Sequence, residues 1–256
     1  MAWASDLGAV FASQIHMPDN LRVALHSWEL SPEEAIAVQQ SLRRRLVLQW
    51  DGRAVETIGG VDVSLTDQEA RAAIVVLRLA DLTPIEGVIA GAPLVFPYVP
   101  GLLAFREGPA ILAAWERLQN KPDLIMFDGQ GIAHPRGIGI ASQMGLWLER
   151  PTIGVGKSRL YGQFDPPGPN AGDASDLLDP QTHEIIGAVL RTRAGANPVF
   201  VSPGHRIDLP HAVDFVMRCA RGYRLPEPTR WAHKLAAGEA LPTIETRQAG
   251  DQLSLF

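Results

Sequence analysis

The feature that most constrains this chain is a change of rhythm near residue 100. Before it, three short apolar runs, 58–65, 72–79 and 85–90, are rich in Ile and Val and are separated by brief turn segments at 66–69 and before Pro84. Runs of that length joined by turns that short pair as an antiparallel meander. After it, segments with helical patterning alternate with short apolar strands: helix 107–118, strand 123–127, helix 137–148, strand 152–155. Such alternation builds a parallel half-sheet. Runs 184–191 and 198–201 read as further strands, and 212–220 as a further helix. The expected fold is α/β: a mixed sheet, part antiparallel meander and part parallel half, flanked by helices. Ahead of the meander, Ser31-Pro32-Glu33-Glu34 is a capping box with Pro at the first helical position. It predicts a helix running to about Leu48 and ending in Arg43-Arg44-Arg45, where cations suit the negative pole of the helix.

A chain of 256 residues suits one large domain, or one domain with additions. The single cysteine, Cys219, excludes an internal disulfide framework and a Cys-rich zinc site. No apolar stretch reaches the ~20 residues of a membrane span. Residues 1–20 lack a basic leading region and carry Asp6, unlike a signal peptide. A soluble, cytoplasmic protein is expected. The net charge of −5 resides in 165–184, where Asp165, Asp173, Asp176, Asp179 and Glu184 meet no Lys or Arg. Between 218 and 234, Arg218, Arg221, Arg224, Arg230 and Lys234 meet only Glu227. A local basic face is one reading of that run; a solvated helix and loop is the plainer one. Residues 163–183, rich in Pro, Gly and Asp, read as a long loop. Residues 238–256 read as a polar, disordered tail.

Two acidic residues stand at strand positions. Asp62 lies inside Ile58-Gly59-Gly60-Val61-Asp62-Val63-Ser64, and Asp128 closes the apolar run 124–127. A carboxylate in an apolar strand is costly unless paired or bound to a cation, and the end of a strand is where α/β sheets place their sites. On adjacent strands the pair would offer hard oxygen donors to Mg²⁺ or Mn²⁺. The plainer reading is a turn Asp and a satisfied polar group. Glu107 opens the helix 107–118, where simple charge complementarity with the helix end would account for it. Lys157, in Gly154-Val155-Gly156-Lys157-Ser158, resembles the end of a P-loop, but Pro151 stands where that pattern needs Gly. Beside a carboxylate site a lysine could instead hold a phosphate. His134, His205 and His233 fall at no zinc-binding spacing, and neither H-E-x-x-H nor G-x-S-x-G is present. Tyr98, held between Pro97 and Pro100, could wedge into a base stack. Glycines at 101, 129, 131, 137 and 139 would let backbone approach a flat ligand, such as a flipped base.

The motifs together resemble the endonuclease V family of inosine-directed nucleases. GGVDVS at 59–64, FPYVPGLLAFREGP at 96–109, PDLIMFDGQGIAHPRGIGIAS at 122–142, PTIGVGKSRLYG at 151–162, VSPGHR at 201–206 and RLPEPTRWAH at 224–233 carry the likeness in the family's order. It covers roughly 28–235. The resemblance implies an RNase H-like fold and a Mg²⁺-dependent endonuclease, with Mn²⁺ as substitute. It implies recognition of deoxyinosine and hydrolysis of the second phosphodiester on its 3′ side, leaving 3′-hydroxyl and 5′-phosphate ends. By resemblance, Asp62 and Asp128 are metal ligands and Glu107 is a third acidic member. Lys157 lies on the scissile phosphate, and His233 is a further catalytic position. Tyr98 is the wedge, and backbone at Gly101, Leu103, Gly129 and Ile140 forms the base pocket with His134 beside it. Two departures stand out: Gly156 where relatives carry Ala, expected to matter little, and Gln143 where His is frequent.

The implied organisation is an N-terminal extension (1–27), an RNase H-like catalytic domain (28–237) and a flexible tail (238–256). The tail ends in Gln252-Leu253-Ser254-Leu255-Phe256, which resembles the peptide by which bacterial proteins bind the replication sliding clamp. Leu255 and Phe256 would enter an apolar pocket, with Gln252 and Leu253 alongside. Partners are thus DNA containing deoxyinosine and the sliding clamp, with no membrane, and the chain is expected to be a monomer. Two alternatives stay open: an inosine-specific ribonuclease of the same fold, and a non-catalytic module joining DNA and clamp.

Overall fold

The computed structural model describes residues 24–241. The tail peptide with Gln252, Leu253, Leu255 and Phe256, and residues 1–23 of the N-terminal extension, lie outside the described residues. Among the described residues no helix is long and apolar enough to cross a membrane.

The expected mixed sheet is present. Strands β1 (Thr57–Leu65), β2 (Glu69–Arg78) and β3 (Pro84–Pro93) form the antiparallel meander. Strands β4 (Leu124–Phe127) and β5 (Thr152–Gly156) run parallel to β1. Beyond them lie β6 (Ala174–Leu178), β7 (Ile185–Leu190) and β8 (Val199–His205), in the order β3-β2-β1-β4-β5-β8-β7-β6. The parallel half therefore comprises β1, β4 and β5, because β8 returns antiparallel against β5.

Among the described residues there are five helices: α1 (Pro32–Arg43), which packs on Phe105 and Leu146 rather than on the sheet, and α2 (Leu103–Arg117), α3 (Ile140–Leu148), α4 (Leu209–Arg218) and α5 (Glu227–Ala236), which cover the sheet. Alternate residues of each strand face opposite sides. Ile58, Met126 and Val155 pack with Phe215 and Val216 of α4 and Ala232 and Leu235 of α5. On the other face Val61, Ile125 and Phe127 pack with Ile111 and Ala114 of α2 and Met144 of α3. With both faces covered, β4 is buried at every position, which is why it reads as an unbroken apolar run.

Several expectations are corrected. The capping box at Ser31 and Glu34 forms, but α1 stops at Arg43 rather than about Leu48. The next residues are drawn into tertiary hydrogen bonds: Arg206 N donates to Val47 O at 2.6 Å, and Val47 N to His205 Nδ1. Helix α2 begins a turn before Glu107, because Leu102 and Phe105 are buried and pull its start into the core. Helix α3 begins at Ile140, since Gly137 is at φ +64° and Gly139 N bonds across to Gly131 O. Helix α4 begins earlier than expected, at Leu209, behind the N-cap Asp208, which accepts from His211 N. Helix α5 falls in the run 218–234, and rather than lying solvated on the surface it packs Ala232 and Leu235 against the sheet.

Residues 163–183 are not a plain loop. They contain β6, and a bridge joins Gln163 to Leu178. Its acidic residues close turns: Asp173 accepts from Asn170 N, and Asp179 from Gln181 N and Thr182 N. Residue 238 does not begin a featureless tail, since Leu241 is buried against the α5 face of the sheet.

Candidate active site

The parallel pairing of β1 with β4 aligns Val61 with Phe127, and Asp128 N donates to Val61 O at 3.1 Å. Asp62 and Asp128 are each the next residue, so they stand at neighbouring positions past the end of the pairing. Period-two alternation puts both on the α4/α5 side of the sheet. Phe127 aligns with Gly154 of β5, so Val155 is level with Asp128. Lys157 follows two residues on, and its ammonium pairs with Asp128 Oδ2. The central strands thus deliver two carboxylates and an amine to one end of the sheet.

Two helices complete the cleft. Helix α5 brings His233, whose Nδ1 lies 3.0 Å from Asp62 Oδ2. It can do so because it packs directly against glycine: a methyl at Gly60 would lie 1.9 Å from Pro228 O. From the other face, α2 brings Leu103 and Glu107. Asp62, Leu103, Glu107, Asp128, Lys157 and His233 line one open cleft of about 430 Å³.

Electrostatics single out Glu107. It is 8% exposed, and among the described residues its carboxylate has no hydrogen-bond or ion-pair partner. Burial, and then the charges of Asp62 and Asp128, push its pKa up to about 8. Asp128 is also raised; burial is the main cause, the Lys157 ammonium opposes it, and the Asp62 charge adds to it. Acidic groups forced to share a cleft leave a deficit of positive charge.

That deficit is the test of fit for a divalent cation. Asp62 and Asp128 offer oxygen donors, and the unpartnered Glu107 is a buried acid that a cation would relieve. Among the described residues no three His, Cys, Asp or Glu side chains form a ready-made cage. The site is open. Mg²⁺ keeps several waters and binds through about one or two carboxylates plus phosphate oxygens, so an open site suits it.

The remaining expected residues form a second group. Tyr98 is 70% exposed at the tip of its loop, and that loop is tied to α2 by Arg106 Nη1 donating to Phe96 O at 2.8 Å. Gly101 has φ +80°, a left-handed conformation suited to glycine. Its carbonyl accepts from His134 Nε2 at 2.9 Å. His134 Nδ1 in turn accepts from Arg136 N, so both ring nitrogens are used and the ring is a buried neutral group. Burial, then the Arg136 charge, lower its pKa to about 4. Gly129 packs against Ile140, where a methyl would come 2.6 Å from Ile140 Cγ2. His134 lines this loop pair and does not line the acidic cleft.

Sequence reading missed the residues that hold Lys157. Arg224 donates through Nη2 to Lys157 O and at 3.0 Å to Pro198 O. Gln130 Nε2 donates to Ser158 O at 3.0 Å. Gly156 lies beside this support: a methyl there would lie 2.2 Å from Gln130 Nε2, the movable end of a side chain. Gln143 is buried beside His26, away from the cleft. The basic run 218–234 is largely spent within the fold. Arg230 pairs with Glu227 at 2.6 Å and stacks 4.2 Å from the Tyr223 ring, and Lys234 pairs with Glu239.

The class that fold and site define is an RNase H-like protein with an open acidic centre at the ends of its central parallel strands. Comparison with known proteins narrows this. The family model for Endonuclease V matches residues 40–234. Endonuclease V of Methanothrix thermoacetophila is 49% identical over 220 residues, covering 86% of this chain and 97% of that protein. The crystal structure of Endonuclease V from Streptomyces avermitilis is 43% identical with TM-score 0.78, covering 83% of this chain and 94% of that one. Endonuclease V of Ciona intestinalis, solved with a 24mer DNA containing an inosine followed by a ribo-adenosine, is 26% identical with TM-score 0.70, covering 80% of this chain and 96% of that one. The chain belongs to the endonuclease V family and is a nuclease of that family.

Proposed function

We propose that this chain is a DNA-repair endonuclease that recognises deoxyinosine and hydrolyses the second phosphodiester on its 3′ side. Water adds to phosphorus, the P–O3′ bond breaks, and the products carry a 3′-hydroxyl and a 5′-phosphate. The observation that carries the reading is the buried, unpartnered Glu107 facing Asp62 and Asp128 across the cleft, in a chain of this family. The inosine-containing DNA bound by the Ciona relative supports the substrate class.

Asp62 and Asp128 would hold Mg²⁺, or Mn²⁺ in its place. When bound there, the ion supplies Lewis-acid charge and lowers the pKa of water. The chain's own residues do the rest. Lys157 releases Asp128 and meets a non-bridging phosphate oxygen. His233 orients the Asp62 carboxylate through the 3.0 Å contact. Glu107 stands ready to accept a proton from the attacking water once positive charge opposite it favours ionisation. Tyr98 fills the gap left by the extruded base. Gly101, Leu103, Gly129 and Ile140 present backbone to that base, with His134 behind Gly101. Polar groups matched to hypoxanthine would be left unpaired by adenine, which sets the discrimination.

The test is a nicking assay on duplexes carrying deoxyinosine or adenine, and on an inosine-containing RNA, with Mg²⁺, Mn²⁺ or EDTA. A single metal-dependent cut one nucleotide beyond deoxyinosine is expected. Cleavage of the RNA alone would move the substrate to RNA, the reading favoured by the ribose in the Ciona ligand. Binding without cutting of either would leave the non-catalytic module. We further propose that residues 28–237, with Leu241 packed onto their core, act as one monomeric catalytic domain and that the tail peptide 252–256 docks on the sliding clamp. Deleting 252–256 should abolish clamp pull-down and leave nicking unchanged; clamp binding that survives would refute the docking.

A further inference from the structure

One buried polar node lies outside the acidic cleft and is joined by a residue, Gln39, that lies outside the motifs carrying the family likeness. Gln39, on α1, is 1% exposed and stands one residue before the span matched by the family model. Its side-chain NH₂ donates to Gly101 O at 3.0 Å and to Ile138 O at 3.3 Å. Its Oε1 accepts from Arg136 Nε. Arg136 also donates through Nη2 to Gly101 O at 2.7 Å. The Gly101 carbonyl thus receives N–H groups from Gln39, His134 and Arg136. The orientation of the Gln39 amide is settled by its partners, since a flipped amide would set donors against the Arg136 donor.

The two carbonyls bridged by Gln39 belong to different walls. Gly101 leads into Leu103, and Ile138 leads through Gly139 into Ile140. A single NH₂ group therefore spans the gap between the segments that carry the proposed base pocket. We propose that Gln39 and Arg136 are positioning residues that fix the width of that pocket, and through it the preference for inosine over adenine. The inference rests on the base-pocket reading given under the proposed function. Its physical basis is that a hydrogen-bonded contact to a purine edge fails when its donor shifts by a few tenths of an ångström. Loops joined only by turn geometry would not hold that tolerance, whereas a buried, fully satisfied network does.

The test uses the full chain with Gln39→Leu, Arg136→Lys and the double variant. Lysine keeps the charge of Arg136 but loses the fork that bridges Gln39 and Gly101. Single-turnover rates are measured on deoxyinosine and adenine duplexes well below each variant's Tm, with thermal unfolding recorded alongside. Each single variant should lower the inosine-to-adenine rate ratio by at least about tenfold, a misplacement effect of modest size. The double variant should be little worse than the poorer single, because both break one unit. Gln39→Glu keeps the acceptor for Arg136 and loses the bridging NH₂, so it should behave as Gln39→Leu. Unchanged ratios with a lowered Tm would overturn the proposal, leaving the node purely structural. A ratio kept in Gln39→Glu would overturn the role of the bridging NH₂. A wild-type protein without inosine preference would overturn the base-pocket reading itself, and the proposal with it.

Discussion

Gly60→Ala is the sharpest probe of how the site is assembled. The new methyl would lie 1.9 Å from Pro228 O and 2.1 Å from Pro228 C, both backbone atoms of α5. An ordinary contact starts near 3.4 Å, so α5 must retreat from β1 by about 1.5 Å. No rotamer change can absorb that, because the obstacle is main chain. Overpacking of this kind costs about 2 kcal/mol, or about 4–8 °C in Tm for a chain of this size. The functional loss should be larger than the stability loss. Pro228 and His233 ride on the same rigid helix, and His233 Nδ1 sits 3.0 Å from Asp62 Oδ2. A displacement above 1 Å at a reacting group costs on the order of 100-fold in rate. Gly59→Ala is the matched control, since its methyl would meet the Pro122 ring, a side chain, at 2.8 Å. Single-turnover nicking and thermal unfolding of the two variants settle the point. Gly60→Ala should lose about 100-fold in rate while Gly59→Ala stays much nearer wild type. Equal, near-wild-type rates for both would refute the idea that this close approach places His233.

Three further outcomes follow from the same geometry. Glu107→Gln should abolish nicking and, with EDTA present at pH 8, raise Tm, because it removes a buried acid with no partner; a lowered Tm would contradict that account. His134 should make the fold acid-sensitive. Its folded pKa of about 4 lies below the unfolded value of 6.5, so the unfolded state binds more protons between them and stability falls as pH drops through that window. Full protonation forfeits about 3 kcal/mol, and urea unfolding of wild type and His134→Gln across pH 7 to 4 should show a shallower pH slope in the variant. Asp123→Ala should cost about 2 kcal/mol in urea unfolding, because one half-buried carboxylate serves several donors. Its Oδ2 accepts from Glu56 N at 3.0 Å and from Thr57 N and Oγ1 at 2.9 Å. Nicking by the folded fraction should be unchanged.

How much of this was legible in the sequence depends on the distance over which each feature is encoded. The Ser31–Glu34 box spans four residues and reads directly. Asp62 and Asp128 were visible because a carboxylate inside an apolar strand is locally anomalous, and strand pairing then makes them neighbours. Helix α5 was hard to read: Pro226 and Pro228 look like breakers, and its buried residues, Glu227, Pro228, Thr229, Ala232 and Leu235, make no apolar pattern. The Asp-rich stretch 163–183 looked like a loop because β6 is only five residues long and is bracketed by the turn-forming Asp173 and Asp179. Arg224 reaches Lys157 from 67 residues away, and Gln130 reaches the adjoining Ser158 from 28. The bond from Gln39 to Gly101 spans 62 residues. Such long-range polar pairs have no local signature, so only the folded chain reveals them.

The central claim is that the cleft between β1, β4, α2 and α5 is where the strand is cut. The most direct measurement is single-turnover nicking of a deoxyinosine duplex by wild type and by Asp128→Ala in Mg²⁺, with binding of the same duplex measured in parallel. Loss of nicking in the variant with duplex binding retained is the predicted result. Nicking by Asp128→Ala at the wild-type rate would place the chemistry elsewhere in the molecule.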